Sequence, residues 1–128
     1  MTSSPTLYQR LGEEPGLQAI AESLYGWMER LPEAAHIHAL HQMQIDETRT
    51  RLVAFLSRFF DGPDRYRAHY GEPRMRQRHM KIPIGPAERD AWMLCMHKSL
   101  QENIADDELR TAVEAKLAAF AEHMRNRD

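Results

Sequence analysis

Tyr70-Gly71-Glu72-Pro73-Arg74-Met75-Arg76-Gln77-Arg78-His79-Met80-Lys81-Ile82-Pro83-Ile84 is followed, after Gly85-Pro86-Ala87, by Glu88-Arg89-Asp90-Ala91-Trp92-Met93-Leu94-Cys95-Met96. The first run is rich in proline and cations and has few consecutive apolar positions, so it reads as a loop carrying one short helix around Arg74 to His79. The second run opens a strongly patterned helix. Pro86 suits a first turn, where a missing N–H costs nothing, and Glu88 and Asp90 lie near the positive end of the helix dipole. Trp92, Met96 and Ser99 share one face of that helix. Binding groups concentrate on irregular segments that a regular scaffold holds, so the chemistry is expected in this middle part of the chain.

Outward from this stretch, the periodicity is helical throughout. Leu17, Ile20, Ala21, Leu24 and Met28 trace one stripe after Pro15, with Tyr25 beside it, and that helix is expected to end near Pro32. A short helix follows from about Glu33 to Leu40. A longer one starts at Asp46, read as its N-cap, and runs through Leu52, Phe55, Leu56 and Phe59 until Asp61-Gly62-Pro63 stops it. Asp106 caps the last helix, whose Leu109, Val113, Leu117, Phe120 and Met124 complete the core. No segment alternates apolar and polar residues as a strand does, so the class is all-α. Without internal repeats or low-complexity tracts, residues 1–128 read as a single domain.

Composition narrows the functional classes. Hydrophobic residues make up 42% of the 128 and charged residues 28%, an ordinary soluble globular balance. The formal net charge of -2 gives no electrostatic reason to expect nucleic acid or an anionic membrane as partner. The lone cysteine, Cys95, excludes an intrachain disulfide and a multi-thiolate iron cluster, and its thiol reads as buried and inert. Nothing near the N-terminus combines a basic segment with an apolar run, so a cytoplasmic location is expected.

Seven histidines are unusual for this length, and neutral imidazole is a common iron and zinc ligand. His38 and His41 can share a helix face while His36 points elsewhere, so these residues supply at most part of a zinc site. No HExxH or CxxC spacing supports one.

The histidine after Pro73-Arg74-Met75-Arg76-Gln77-Arg78, the Ile82-Pro83-Ile84 run and the Glu88-Arg89-Asp90-Ala91-Trp92 helix together resemble the proximal region of group II truncated haemoglobins. The resemblance extends from about Leu7 to Met124. It implies a shortened globin, a two-over-two helical sandwich in which the second and third long helices cross the last two, with b-type haem between them and His79 as the iron ligand. A ligand histidine needs an acceptor for its other ring nitrogen, and a backbone carbonyl one turn earlier, near Met75, would serve. Met75, Ile82 and Ile84 would then pack the porphyrin, while Arg76, Arg78 and Lys81 lie where haem propionates are paired.

On the distal side the resemblance maps the family's helical tyrosine to Tyr25, a ring-contacting position to His38, and the tryptophan shared by groups II and III to Trp92, with Met96 one turn further on. Thr48 and Leu52 match positions facing the ligand, and Phe55 and Leu56 fit the haem-packing face. Hydroxyl, indole and imidazole donors there would stabilise bound dioxygen. There are departures. His38 stands where phenylalanine or tyrosine is commoner, Leu52 replaces a polar residue of some members, and the family's glycine pairs are incomplete at Gly12-Glu13 and Asp61-Gly62. The implied function is reversible binding of oxygen or another diatomic ligand. A redox enzyme on the same haem, served by a reductase and oxidising nitric oxide or turning over peroxide, is the alternative. A haem-free helical interaction module is the third class, and a colourless protein after haem supplementation would favour it.

Overall fold

Thr6 opens the first described helix with a reciprocal cap, its hydroxyl accepting from the Gln9 N–H at 3.1 Å while the Gln9 side chain accepts from the Thr6 N–H at 2.9 Å. The computed structural model describes residues 4–40, 45–80 and 82–128, leaving out the side chains of 39, 40 and 45. The described elements are helices α1 (Leu7–Arg10), α2 (Glu13–Arg30), α3 (Ala35–Leu40), α4 (Ile45–Phe59), α5 (Arg65–Tyr70), α6 (Met75–His79), α7 (Pro86–Asn103) and α8 (Asp107–Met124), with a 3₁₀ turn Pro32–Ala34 before α3. No strand occurs among the described residues, and none of the described helices is long and apolar enough to cross a membrane.

Most boundaries fall where the sequence signals put them. Asp106 caps α8 through the Leu109 N–H at 3.1 Å, Gly85-Pro86 opens α7, and Asp61, at φ 68°, turns the chain out of α4. Asp46 differs from expectation. It lies inside α4 rather than before it, with its carboxylate on Arg49 at 2.8 Å, so its stabilisation is that of a first-turn acid and not of an N-cap. Two further elements escape periodicity. Helices of four and six residues, α1 and α5, are too short to show a stripe.

Four long helices make the frame: α2 packs on α4 and on α7, and α7 packs on α8. Leu17, Leu24 and Met28 of α2 meet Leu56 and Phe60 of the α4 end and Cys95, Met96 and Leu100 of α7 in one buried cluster. The buried Ser99 hydroxyl donates to the Ile20 carbonyl at 2.7 Å, tying α7 to α2 without leaving a polar group unpaired. Between α4 and α8 the contact is made by rings: Phe120 lies 5.2 Å from Phe55 and 5.6 Å from Phe59, centroid to centroid, and 6.5 Å from Trp92 of α7. These bulky wedges leave a cavity between the helices.

The corner between α1 and α2 depends on glycine. Gly12 sits at φ 93°, and at Gly16 a Cβ would stand 1.7 Å from the Leu11 carbonyl oxygen, which is backbone and cannot step aside cheaply. Gly16→Ala is expected to destabilise the fold by roughly 1–3 kcal/mol, the usual cost of an overpacked position. Urea unfolding measures it, and an unchanged midpoint would contradict this account of the corner.

Candidate functional site

The sequence closes α6 on His79 but leaves the imidazole half-buried at the edge of a large cavity. His79 Nδ1 lies 2.6 Å from the Met75 carbonyl oxygen, four residues earlier. A carbonyl only accepts, so Nδ1 carries the proton and Nε2 is the nitrogen with a lone pair to offer. The helix begins under strain: Arg74 precedes it at φ 43°, a left-handed conformation that costs a non-glycine residue on the order of 1 kcal/mol. Arg78 Nε donates to the Pro73 carbonyl at 2.6 Å and secures that turn.

The cavity measures about 860 Å³, within the range of roughly 300–1,000 Å³ typical of sites that enclose a cofactor. From α2, α3 and α4 it is lined by Tyr25, Ile37, Thr48, Arg51, Leu52 and Phe55. From α6, the loop after it, α7 and α8 come Met75, Arg78, His79, Ile82, Ile84, Trp92, Phe120 and Met124. Ten of the residues singled out in the sequence therefore meet on one cavity: Tyr25, Thr48, Leu52, Phe55, Met75, Arg78, His79, Ile82, Ile84 and Trp92.

Four other expected site residues lie off it. Leu56 and Met96, 1% and 0% exposed, belong to the buried core cluster and do not line the cavity. His38 is half-buried on α3, but Ile37, a hundred degrees round the helix, is the residue of α3 that lines the cavity. Arg76 is exposed with its guanidinium 3.7 Å from Met80 Sδ. Lys81 lies outside the described residues.

Several lining residues went unread in the sequence. Phe120 and Met124 register there only as core, since a residue facing a cavity and one facing another side chain have the same periodicity. Arg51, Arg74 and Arg89 are cations on otherwise ordinary polar faces. Arg51 stands out: its terminal nitrogen reaches Glu47 at 3.1 Å and its guanidinium lies 4.7 Å from the Tyr70 ring centroid, yet its Nε is buried without a hydrogen-bond partner. Such an orphan donor on a cavity wall calls for an acceptor from a ligand. Asn126, beyond α8, also escaped notice. Its Nδ2 donates to the carbonyls of His79 and Ile82, at 3.0 and 2.9 Å.

Charge is arranged by depth. Tyr25, 6% exposed, has its phenol pushed far above the ordinary range by burial, so it remains a neutral hydroxyl. Three of the arginines that line the cavity carry their charge with carboxylates or aromatic rings beside them: Arg51 beside Glu47 and the Tyr70 ring, Arg89 paired with Glu122 and with Asp90, and Arg78, 5.8 Å from the Tyr66 centroid. No group of three or more histidine, cysteine or acidic side chains that would cage a bare metal ion occurs among the described residues. A metal held here through His79 would have to bring most of its ligands with it.

Behind Trp92, the Cys95 thiol is raised from 9.0 to about 11, by burial first and by nearby Glu33 second. The unfolded thiol ionises first, so its contribution to stability is full below pH 9 and disappears as pH rises through about 11. Between these limits, under reducing conditions, the wild-type unfolding free energy is expected to fall more steeply with pH than that of Cys95→Ala. Parallel curves would mean that the thiol ionises equally well when folded.

The bacterial-like globin family model matches residues 6–126. The cold-adapted truncated haemoglobin of the Antarctic marine bacterium Pseudoalteromonas haloplanktis is 35% identical, with coverage of 97% of this chain and 100% of that one and a TM-score of 0.93. The group II 2-on-2 haemoglobin of the plant pathogen Agrobacterium tumefaciens is also 35% identical, over 100% of both chains, with a TM-score of 0.93. A truncated oxygen-avid haemoglobin from Bacillus subtilis is 26% identical over 95% of this chain and 100% of that one, with a TM-score of 0.84. The chain belongs to the bacterial-like globins and, within them, to the group II truncated haemoglobins, which are haem-binding proteins.

Proposed function

We propose that the chain binds haem b as one domain, with His79 Nε2 as the protein's ligand to iron, and holds dioxygen or another diatomic ligand beside Tyr25 and Trp92. The observation that carries this is the 2.6 Å hydrogen bond from His79 Nδ1 to the Met75 carbonyl, which commits one nitrogen and presents the other at a cavity of cofactor size. The donor set fits haem. One imidazole suffices for a metal that arrives in a macrocycle, and the buried Nε of Arg51 fits an anionic side group of that macrocycle.

Haem supplies iron with a coordination position open to a small ligand. The chain does the rest. Met75, Ile82, Ile84, Leu52, Phe55 and Phe120, apolar side chains that line the cavity, would hold the ring and exclude water from it. Arg51 and Arg78 serve its carboxylates, a role the exposed Arg76 fits less well. Tyr25 and Trp92 offer neutral O–H and N–H donors, and Thr48 adds a second hydroxyl to the same wall. Reversible binding is the reading this arrangement supports best, with the cytoplasm as the location proposed for it, and the relative described as oxygen-avid is in keeping with such binding.

His79→Gly tests the ligand. The variant is expected to retain little haem and to recover it when imidazole is added, because the lost side chain leaves room for a free ligand. Unaltered ferrous and ferric spectra in that variant would refute the assignment. Trp92→Phe tests the donors. A hydrogen bond to a charged or polarised partner contributes about 1.5–3 kcal/mol, so oxygen dissociation should accelerate roughly ten- to a hundredfold at preserved haem content. Carbon monoxide, less polar when bound, is the control and should respond less. Stopped-flow traces in which Trp92→Phe, Tyr25→Phe and the double variant all release oxygen at the wild-type rate would leave no place for these donors.

A further inference from the structure

The segment that follows His79 is held from the far end of the chain. Asn126 donates Nδ2–H to the His79 carbonyl at 3.0 Å and to the Ile82 carbonyl at 2.9 Å, and its Oδ1 accepts from the Ile84 N–H at 3.0 Å. The backbone N–H groups of Asn126 and Arg127 both donate to the Ile84 carbonyl, at 2.8 and 3.0 Å. Each polar atom of the Asn126 side chain thereby bonds His79, Ile82 or Ile84, all three of which line the cavity, and Oδ1 accepts in addition from Arg127 at 3.3 Å.

α6 has only five residues and begins at the strained Arg74. A helix this short has no stability of its own and takes its position from what holds its ends. The bond from His79 to Met75 fixes the imidazole relative to α6, but both partners belong to α6 and would move with it. The bonds from Asn126 are different, because they tie the carbonyl end of His79 to the chain just after α8, which packs on α7 and on α6.

We propose that Asn126 is a positioning residue for His79, clamping the loop so that Nε2 and the Ile82 and Ile84 side chains keep a fixed place in the cavity. The proposal rests on His79 being the iron ligand. Asparagine suits the task since its amide offers two donors and an acceptor side by side; aspartate would turn a carboxylate toward two carbonyl oxygens, and alanine would offer nothing.

The test compares wild type, Asn126→Ala, Asn126→Asp and, as a control for general loosening, Val113→Ala, which opens a gap in the α8 core away from the cavity. Each haem-loaded protein is mixed with excess apomyoglobin to time haem loss, and the iron–histidine stretching band of the ferrous form is recorded by resonance Raman. Loss of a partner outside the direct ligand shell typically weakens metal binding roughly 10- to 100-fold. Both Asn126 variants should therefore lose haem faster by about that factor, with a shifted or broadened band, while Val113→Ala lowers the unfolding midpoint and leaves the band in place. Haem loss and band at wild-type values in Asn126→Ala would overturn the clamp, and so would equal changes in Val113→Ala. Persistence of the band in His79→Gly would instead overturn the ligand assignment, a separate outcome. Should Asn126→Ala fail to fold, Asn126→Asp, which removes the two donors and keeps the acceptor, decides alone.

Discussion

An imidazole can serve a metal well through one nitrogen only when the other is committed elsewhere; otherwise the ring flips, changes tautomer and protonates. In this chain that commitment is the bond from His79 Nδ1 to the Met75 carbonyl, made within a helix of five residues. Much of the remaining architecture can be understood as what this small, strained piece requires. α6 cannot stand on propensity, so it is pinned before by Arg78 on the Pro73 carbonyl and after by Asn126 on the His79 carbonyl. Long helices on either side then hold open the cavity that His79 lines.

That space exists because rings, rather than backbone, set the distance between α4 and α8. Phe55, Phe59, Phe120 and Trp92 pack at tilted and edge-on angles that flat faces could not share with a closer helix pair. The wedge works at both ends. Its buried side completes the core, and its open side gives the cavity an apolar wall on which a flat cofactor can lie. Polar groups are then few and particular, as expected of a site that binds by shape and orients by hydrogen bonds.

The fold was largely legible in the sequence because its long helices carry complete stripes and recognisable ends. Leu17 to Met28, Pro86 and Asp106 each announce an element through a local physical preference. What periodicity cannot supply is the destination of a side chain. Leu56 and Leu52 share a helix and a spacing, yet Leu56 enters the buried core cluster and Leu52 the cavity. His38 lies off the cavity because a rotation of a hundred degrees puts Ile37 there instead, whereas Met96, on nearly the same face as Trp92, is one turn further along and buried in the core. Arg51 and Asn126 were invisible for another reason. An arginine on a polar face and an asparagine after a helix are ordinary in any sequence, and their significance lies in partners 47 positions away, in one case, and in a missing acceptor in the other.

The placement of charge bears on what the site does with a ligand. A cation set deep beside the iron would need its own counter-charge or lose much of its solvation energy, and either outcome would disturb a neutral gas molecule before it bound. Here the buried donors are neutral: burial pushes the Tyr25 phenol up, so its proton stays on oxygen, and the indole of Trp92 does not titrate. The cations Arg51, Arg78 and Arg89 are instead kept beside carboxylates or rings, and on the proposed reading they are the groups that would meet the anionic side groups of the cofactor. Neutral dipoles exert little force on an uncharged diatomic molecule and much more on one that has drawn electron density from a metal. On the proposed reading, therefore, the pocket discriminates after binding rather than before it, and selectivity should reside in how slowly a polarised ligand leaves.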